Sequence, residues 1–392
     1  MPDTLDTAVI LAAGEGRRLE PLTNQRPKPM IPVANRPLLE HVIETVAVAG
    51  IDRIVLVVGY KQERIRNHFG DGDEWNVTIE YVEQSTQLGT GHAVLQVESV
   101  VDDSFIVLNG DRIVDVDAVS TVRNRLHDGA TPLVTVTAVE HPREYGVVQT
   151  DGDRVTHIDE KPEGPVDTNR INAGVYGFSP AIFDAIRATQ TTGELAITAT
   201  LNELAAETEV TSLSYDGRWL DVSHLWDVLT VNAALIQDHD REPAKSGQQI
   251  GKTATVGDDV VLAGNVRIGP NATLSGATAI GSNVTIGANT VVESSVVFPD
   301  AVIGPGVVVR DAIVAGNARV GPNATIVGGP STVAVGDAVH RDVTLGGVVG
   351  DNTSIGGGAT LTNGAVVGDD VRATAGVVID DCVESGAVVR RG

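Results

Sequence analysis

Hydrophobic and polar positions follow two different rhythms along the chain. Between residues 1 and about 240, short runs rich in β-branched residues alternate with amphipathic stretches such as Leu38 to Ala49 and Val116 to Leu126. The strand candidates are TAVILAAG, RIVLVVG, VTIEYVEQ, SFIVLNGD, PLVTVTAV and INAGVYGF. This alternation predicts an open, largely parallel α/β sheet, in which ligands bind outside the carboxyl ends of the strands.

From about residue 250, an aliphatic residue followed by glycine returns every six or twelve positions. The pairs are Val256-Gly257, Ile268-Gly269, Ile280-Gly281 and Ile286-Gly287, and later Val349-Gly350, Ile355-Gly356 and Val367-Gly368. This hexapeptide rhythm is typical of a parallel β-helix, with the aliphatic side chains inside and small residues at the corners. A glycine- and valine-rich sandwich is the alternative. The rhythm slips between Ile303-Gly304 and Val335-Gly336, which predicts irregular coils or a protruding loop.

The change of rhythm predicts two domains, residues 1–240 and residues 250–392, joined by the polar stretch 239–248. A length of 392 residues also favours two domains over one. The single cysteine, Cys382, excludes an internal disulfide and fits a reducing cytoplasm. We find neither a signal peptide nor an apolar run long enough for a membrane span, so we expect a cytoplasmic protein without a membrane partner.

The chain is strongly acidic. Its 52 Asp and Glu residues against 28 Lys and Arg residues give a net charge of -24, which argues against a nucleic-acid partner. Lysine is scarce, and an acid-rich, lysine-poor surface suits a high-salt cytoplasm, where screening removes the self-repulsion. We therefore expect a halophilic archaeal source, with an ordinary acidic mesophilic protein as the alternative.

A basic, glycine-bearing loop, LAAGEGRRLEPLTNQRPKPM, follows the first predicted strand over residues 11–30. Gly14 and Gly16 would let backbone N–H groups approach phosphates closely, although glycine-rich turns are also common structural punctuation. Arg18 and Lys28 add cations of the kind that stabilise charge developing on an attacked phosphorus. The loop therefore predicts a site for a nucleoside triphosphate.

Two carboxylates follow predicted strands where a ligand would be bound. Asp111 ends FIVLNGD and Asp221 lies in GRWLDVS, so the two form a candidate Mg²⁺ pair for displacement at phosphorus. An Asp turn or a helix cap is the alternative for Asp111. In HIDEKPEG, Glu160 and Lys161 would suit a sugar hydroxyl and a phosphate monoester, with a surface ion pair as the alternative.

These motifs occur in the order LAAGEGRRLEPLT, RPKPM, LNGD, REYGVV, DEKPEG, INAGVY and WLD, which resembles the sugar-1-phosphate nucleotidylyltransferase family over residues 7–235. The hexapeptide half makes the layout similar to the archaeal bifunctional nucleotidylyltransferase/acetyltransferase proteins. The resemblance implies a Rossmann-like α/β domain followed by a left-handed β-helix. It also implies a Mg²⁺-dependent reaction of UTP or dTTP with a sugar 1-phosphate, first of all glucose 1-phosphate, giving an NDP-sugar and pyrophosphate.

The resemblance also implies roles for individual residues. Arg18 and Lys28 would act on the reacting phosphates, and Asp111 and Asp221 would hold Mg²⁺. The nucleotide would contact Leu11, Ala13, Gly14, Gly16, Gln84 and Gly89. The sugar phosphate would contact Gly146, Glu160, Lys161 and Asn172. One departure is WLDVSHLWD, where the family often has Asp-Ile-Gly.

In the hexapeptide half, His340 and Asn363 align with a catalytic histidine and an asparagine of the family's acetyltransferase segment. Against this, Val343 replaces a tyrosine that contacts the sugar phosphate, and no lysine follows Lys252. Acetylation of glucosamine 1-phosphate from acetyl-CoA, toward UDP-N-acetylglucosamine, therefore competes with a purely structural β-helix. In either case we expect a homo-oligomer, a trimer or a multiple of three. A third hypothesis is a non-catalytic scaffold that binds sugar nucleotides, against which the retained Arg18, Lys28, Asp111 and Asp221 speak.

Overall fold

The computed structural model describes residues 7–191, 193–237, 246–335 and 338–391. The chain divides into two compact units. The first contains Met1–Glu15, Pro27–Met30 and Leu38–Asp221, and the second contains Gly16–Arg26, Ile31–Pro37 and Val222–Gly392. The basic N-terminal loop is thus shared between the two units. The expected connection 239–248 lies largely outside the described residues, and no helix of the described ranges is long and apolar enough to cross a membrane.

Strands and helices alternate over residues 7–237, as the sequence predicts. The strands are β1 (Thr7–Leu11), β2 (Pro32–Val33), β3 (Arg36–Pro37), β4 (Arg53–Val58), β5 (Thr78–Glu83), β6 (Phe105–Asn109), β7 (Arg112–Val114), β8 (Leu133–Ala138), β9 (Gly146–Asp151), β10 (Arg154–Glu160), β11 (Arg170–Phe178), β12 (Thr211–Ser214) and β13 (Trp219–Asp221). The helices are α1 (Leu38–Val48), α2 (Gln62–Phe69), α3 (Thr90–Leu95), α4 (Val116–His127), α5 (Ala181–Ala188), α6 (Ile197–Glu207) and α7 (Leu225–Gln237).

Within the described residues, nine strands of the first unit form one sheet, in the order β5-β4-β1-β6-β11-β8-β12-β10-β9. The strands β5, β4, β1 and β6 are parallel, whereas β11 runs antiparallel to both β6 and β8. The prediction of a largely parallel sheet is therefore wrong, and the sheet is mixed. The reason is that β11 lies between β6 and β8, which no local sequence signal specifies.

The sheet is covered on both faces. On one face, α1, α2 and α4 pack their apolar side chains against β1, β4 and β6, with Ile43, Phe69 and Val122 in the core. On the other face, the core contains residues of α3, α5 and α6, including Phe183 and Leu201. Because β1, β4, β5 and β6 are parallel, their carboxyl ends lie at one edge of the sheet, where Gly14, Gln84 and Asp111 follow β1, β5 and β6.

The second unit is built from very short strands. They are β14 (Gln249–Ile250), β15 (Thr255–Val256), β16 (Val260–Leu262), β17 (Arg267–Ile268), β18 (Thr273–Ser275), β19 (Thr278–Ile280), β20 (Thr285–Ile286), β21 (Val291–Glu293), β22 (Val296–Val297), β23 (Val302–Ile303), β24 (Val308–Arg310), β25 (Ile313–Val314), β26 (Arg319–Val320), β27 (Thr325–Ile326), β28 (Pro330–Val335), β29 (Ala338–Thr344), β30 (Gly347–Val349), β31 (Ser354–Ile355), β32 (Thr360–Leu361), β33 (Ala365–Val367), β34 (Arg372–Ala373), β35 (Val378–Ile379) and β36 (Val388–Val389).

Apart from the β28–β29 hairpin, these strands stack into parallel sheets of eight, seven and six strands in the part of the chain that the structure describes. This is the three-sided arrangement of the predicted left-handed β-helix. Thr255 pairs with Thr273, 18 residues later, whereas Val291 pairs with Val308, 17 residues later. The antiparallel hairpin β28–β29 is inserted after β27. The predicted slip of the rhythm is thus confirmed as shorter coils and one protruding hairpin.

The corners of the coils explain the glycine rhythm. A Cβ on Gly269 would lie 2.6 Å from the backbone nitrogen of Ala288 in the next coil, so only glycine fits there. Positions at two of the corners require the left-handed backbone conformation, which the short polar side chain of asparagine tolerates. With φ between 56° and 62°, one corner is occupied by Asn265, Asn283, Asn317 and Asn352, and the other by Asn271, Asn289 and Asn323.

Segments that precede the hexapeptide region in the chain also belong to the second unit. The β2–β3 hairpin turns at Ala34 and Asn35, which both have positive φ. The Ala34 N–H donates to Asn232 Oδ1 of α7 at 2.9 Å, and Asn35 Nδ2 donates to the carbonyl of Val261 at 3.1 Å. Asn232 in turn donates to the carbonyl of Ala277 at 2.6 Å. These bonds tie the hairpin and α7 to the first coils.

Replacing Asn289 tests the corner requirement. Asn289 is exposed, has φ of 58° and accepts a hydrogen bond from Asn271 at 3.2 Å. We expect Asn289→Val to lower the free energy of unfolding by about 1–3 kcal/mol, because a β-branched residue is strained at positive φ. The control Asn289→Gly loses the same hydrogen bond without the strain, and we expect a smaller loss. Guanidinium denaturation followed by circular dichroism measures both, and equal losses would place the effect in the hydrogen bond alone.

Candidate active site

A two-stranded ribbon brings the two predicted carboxylates to one place. The turn after β6 carries Asp111, and β7 then pairs antiparallel with β13 so that Asp221 lies opposite Arg112. Lys28, in a short 3₁₀ helix, places its Nζ 2.6 Å from Asp111 Oδ2 and 4.0 Å from Asp221 Oδ1. The structure therefore assembles Lys28, Asp111 and Asp221 within the first unit.

Cations lie beside both carboxylates and lower the pKa of Asp111. Burial alone would raise the pKa of Asp111, but the Lys28 ammonium, the Arg112 guanidinium and the hydrogen bond from Lys28 together hold this pKa below its usual value. The Asp221 side chain is 4% exposed and lies 3.8 Å from Arg112 Nε. Burial opposes the charge on Arg112 as well, and Asp221 and Asp111 outweigh it, so the pKa of Arg112 is raised. The group is thus a charge-balanced cluster of two acids and two bases.

Arg112 was not among the residues that the sequence singled out. Its guanidinium lies 5.5 Å from the ring centroid of Trp219 and 5.9 Å from that of Tyr145. Its Nη1 donates to the carbonyl of Asn172 at 3.0 Å, so it joins the β7–β13 ribbon to β11. The available signal was its position directly after LNGD in a chain with few basic residues.

The donor set fits Mg²⁺. No group of three or more His, Cys, Asp or Glu side chains suited to a metal is present within the described ranges. Asp111 and Asp221 instead offer two carboxylates, and Mg²⁺ is typically bound by one or two carboxylates together with water and substrate phosphates. The lowered pKa of Asp111 favours its ionised form, which a divalent cation requires, and Asp221 lies 3.8 Å from Arg112 Nε. The residues present therefore suit Mg²⁺ carried on a phosphate ligand.

Four of the residues expected at the nucleotide lie at the edge formed by the ends of β1 and β5. Leu11 ends β1, and its carbonyl accepts a hydrogen bond from Gly110 at 2.9 Å. The carbonyl of Ala13 accepts one from Gln87 Nε2 at 2.6 Å, and Gly14 is exposed. Gln84 directly follows β5 and is buried. The first unit thus gathers these backbone and amide groups at the strand ends.

The carboxamide of Gln84 is oriented by two neighbours. Its Nε2 lies 3.2 Å from the carbonyl oxygen of Gly89 and 2.9 Å from His92 Nδ1. Gly89 has φ of 104°, and a Cβ there would lie 2.6 Å from the carbonyl oxygen of Leu195. Glycine is therefore required at position 89 both for its backbone conformation and for this close approach.

Two of the residues expected at the sugar phosphate face each other across β9 and β10. Gly146 pairs with Glu160, and a Cβ on Gly146 would lie 2.9 Å from Glu160 Oε1. Lys161 follows in the left-handed conformation, with φ of 49°, and its N–H donates to the carbonyl of Tyr145 at 3.1 Å. The motif DEKPEG thus lies at the end of a β-ribbon, where the side chains of Glu160 and Lys161 are exposed.

Asn172 differs from this pair because its side chain is buried. Its Nδ2 donates to the Tyr176 hydroxyl at 2.7 Å and its Oδ1 accepts from the Gly174 N–H at 3.0 Å. These bonds span an irregularity in the β11–β8 pairing, at which Gly174 has φ of 81°. Burial raises the pKa of Tyr176 to about 12, so its hydroxyl is neutral. The carboxamide of Asn172 therefore stabilises the irregular part of β11 between Asn172 and Tyr176.

Gly16 and Arg18 belong to the second unit. Gly16 has φ of 75° and begins the 3₁₀ helix Arg17–Leu19, and Arg18 is exposed. The Gly16 carbonyl accepts hydrogen bonds from the Leu19 N–H at 2.9 Å and from Thr23 Oγ1 at 3.0 Å. This part of the basic loop is thus a folded turn that presents Arg18 to solvent.

The two acetyltransferase candidates lie on and beside the β28–β29 hairpin. His340 is on β29, and its ring centroid lies 4.7 Å from that of His224 and 4.9 Å from that of Trp226. Asn363 Nδ2 donates to the carbonyl of Pro330, which lies at the other end of the hairpin pairing from His340. His340 thus packs against the start of α7 in an aromatic cluster.

Comparison with known proteins places both halves of the chain. The family described as Nucleotidyl transferase matches residues 7–238, and the GMPPB C-terminal domain matches residues 250–385. The bifunctional protein GlmU of Methanococcus maripaludis is 35% identical over 67% of this chain and 62% of its own length. The chain therefore spans less than two thirds of the length of that relative.

Two further matches cover a larger share of the matched protein. The low-salt glycan biosynthesis nucleotidyltransferase Agl11 of Haloferax volcanii is 34% identical over 66% of this chain and 72% of its own length. A Bacillus anthracis structure assigned as a glucose-1-phosphate thymidylyltransferase superposes with a TM-score of 0.56 at 26% identity. It covers 60% of this chain and 97% of that structure.

Removing Lys28 tests the charge balance. In Lys28→Met we expect the pKa of Asp111 to rise, because burial remains while the largest lowering contribution is lost. Carboxyl ¹³C NMR titration without divalent cations measures this pKa. The control Lys252→Met removes an exposed lysine and should leave it unchanged. An unchanged Asp111 pKa in Lys28→Met would show that Arg112 alone holds the carboxylate ionised.

Proposed function

The chain belongs to the nucleotidyl transferase family, and from that premise we propose that it is a Mg²⁺-dependent sugar-1-phosphate nucleotidylyltransferase. The proposed reaction joins UTP or dTTP to a sugar 1-phosphate, first of all glucose 1-phosphate, and releases pyrophosphate. The single observation that carries the proposal is the assembly of Lys28, Asp111 and Asp221 at one edge of the sheet. Two carboxylates beside a lysine suit an Mg²⁺–triphosphate ligand.

Asp111 and Asp221 would hold the metal. When bound there, Mg²⁺ would neutralise charge on the triphosphate oxygens and on the departing pyrophosphate. Lys28 and Arg112 lower the pKa of Asp111, and so favour the charged form that binds a divalent cation. This division of roles explains why a lysine is retained at position 28 in a chain that has few.

The chemistry asks for positioning and charge neutralisation rather than a protein nucleophile. A phosphate oxygen of the sugar 1-phosphate attacks the α-phosphorus of the nucleotide in line, and the bond from that phosphorus to the oxygen bridging to the β-phosphate breaks. The electron pair leaves with pyrophosphate. Lys28 and Arg18 would stabilise the negative charge on these phosphates, and Gly14 and Gly16 would present backbone N–H groups to them.

Gln84 is the residue proposed to read the base. Because its Nε2 faces Gly89 and His92, its Oε1 is the atom that can accept a hydrogen bond from N3–H of uracil or thymine. Leu11, Ala13 and Gly89 would line the same nucleotide. Uracil and thymine differ by one methyl group, worth only about 1–3 kcal/mol of discrimination. Both UTP and dTTP are therefore proposed substrates.

The β9–β10 ribbon and β11 are proposed to hold the sugar phosphate. Glu160 would accept hydrogen bonds from sugar hydroxyls, Lys161 would bind the phosphate, and Gly146 would leave room for the sugar. Asn172, on β11, would contribute to the same sugar-phosphate site. The hydrogen bonds of its side chain to Tyr176 and Gly174 fix the conformation of this strand. A pyrophosphate-release panel of nucleoside triphosphates against sugar 1-phosphates, with Mg²⁺ in high KCl, identifies the pair that is used. High KCl is chosen because we propose a halophilic source.

Replacing either carboxylate tests the proposed function. We expect Asp111→Asn and Asp221→Asn each to lower kcat for pyrophosphate release at least about 10²-fold, because the metal contributes several kcal/mol to stabilising the transition state. The exposed Asp128→Asn serves as the control for a lost negative charge. Circular dichroism verifies the fold. Full activity in folded Asp111→Asn would overturn the metal assignment.

Acetyl transfer by the second unit is the second candidate function. The name of the M. maripaludis relative, a bifunctional protein, supports it, whereas the packing of His340 against His224 and Trp226 favours a structural role. We propose the structural role, with the β-helix mediating assembly as a trimer or a multiple of three. A non-catalytic scaffold is the remaining alternative, and the charge-balanced cluster at Lys28 argues against it.

A thiol assay separates these alternatives. We expect no release of free coenzyme A when the chain is incubated with acetyl-CoA and glucosamine 1-phosphate, because the His340 ring is packed against aromatic neighbours. Thiol release is followed with a chromogenic disulfide, and His340→Ala is the matched variant. Release by the unmodified chain that disappears in His340→Ala would instead establish acetyl transfer, with acetyl-CoA as cosubstrate.

A further inference from the structure

A buried ion pair within the second unit links the basic loop to the β-helix. Arg26 Nη2 lies 2.6 Å from Asp351 Oδ1, and the two side chains are 11% and 6% exposed. Asp351 lies at a coil corner two residues after β30. The guanidinium of Arg26 also stacks over the buried ring of Phe298, 4.9 Å from its centroid. Such a planar cation is held in one orientation by its two partners.

The surroundings of Asp351 make its ion pair with Arg26 important. Within the described ranges, Asp351 Oδ2 is buried without a hydrogen-bond partner. A second carboxylate, Asp369, accepts the Asp351 N–H at 2.7 Å and so brings further negative charge close to it. Asn24 of the basic loop donates a side-chain hydrogen bond to Asp369. Two residues of the loop therefore bind two stacked corners of the β-helix.

The same contacts continue through the loop toward Arg18. Arg26 Nη1 donates to the carbonyl of Leu22 at 3.0 Å. The Leu22 N–H donates to the carbonyl of Leu19, and Thr23 closes the turn onto Gly16. The side chains of Leu19 and Leu22 are fully buried. Fixing Arg26 thus fixes a compact turn, and Arg18 is one of the exposed residues of this turn.

We propose that Arg26 and Asp351 are positioning residues for triphosphate binding, through which the β-helix orders the loop that carries Gly16 and Arg18. This inference rests on the proposed function, and it deepens it by making a coil of the second unit the support of the loop residues Gly16 and Arg18. Neither Arg26 nor Asp351 is proposed to contact the nucleotide. The ion pair sets the conformation of the loop, and the sugar-phosphate residues of the first unit do not depend on it.

The test uses the full chain with Mg·UTP and Mg·dTTP as probes. In Asp351→Asn and Arg26→Met we expect Kd and KM for the nucleotide to rise about ten- to hundredfold, with the KM for the sugar 1-phosphate unchanged. Calorimetric titration gives Kd and pyrophosphate release gives KM. Without ligand, amide exchange at Leu19 and Leu22 should become faster. The control Asp370→Asn changes an exposed aspartate of the adjacent coil corner and should match the unmodified chain.

Two further variants separate positioning from general stability. Arg26→Lys keeps the charge and should fold, but it loses the planar contact with Phe298, so we expect a smaller rise in nucleotide Kd. The double variant R26M/D351N removes both charges of the ion pair, so its melting temperature should lie above that of Arg26→Met while its nucleotide Kd stays raised. A folded Asp351→Asn or Arg26→Lys with unchanged nucleotide Kd and unchanged amide exchange would overturn the inference.

The two levels of the proposal fail in different ways. If the unmodified chain binds neither nucleotide, the proposed function is wrong and this inference falls with it. If the unmodified chain binds a nucleotide and Asp351→Asn binds it equally well, only this inference is wrong. A rise in the sugar 1-phosphate KM equal to that for the nucleotide would also overturn it, because a general loss of structure would then explain both.

Discussion

Charge compensation around Lys28 is the interaction on which the site depends. The pairing of β7 with β13 brings Asp111 and Asp221 together beside Lys28. Two neighbouring carboxylates would repel each other without a cation. Lys28 lies within 4.0 Å of both, and Arg112 stands beside Asp221. The ribbon, the short helix at Lys28 and the anchoring of Arg112 on β11 are therefore mutually dependent. A change in any one alters the electrostatic environment of the others.

Six strands and two helices of the first unit could be predicted because their signals are local. Each of the six strand candidates and both helical stretches correspond to observed elements, since period and β-branched content act within a few residues. The position of β11 between β6 and β8 could not be predicted, because strand pairing joins segments that are far apart in sequence. The role of Arg112 escaped for the same reason, since Trp219 and Tyr145 reach it only through the fold.

The β-helix was readable from its rhythm, but its details arise from stacking. The sequence predicts small residues at the corners. The reason is visible only in three dimensions, because the backbone of the next coil lies too close for a Cβ atom. The two columns of asparagines in the left-handed conformation are likewise a property of repeated corners. His340 shows the limit of motif alignment, because its neighbours His224 and Trp226 come from outside the aligned segment.

The separation of Arg26 and Asp351 in the chain has a consequence for biosynthesis. The two residues are 325 positions apart, so the loop emerges early from the ribosome and meets its ion-pair partner only after most of the chain has been made. Domains of a growing chain fold in order from the N-terminus, and contacts of long sequence separation form late. Ordering of this loop is therefore one of the last folding events, and a truncated translation product would carry the sheet and its strand-end carboxylates without it.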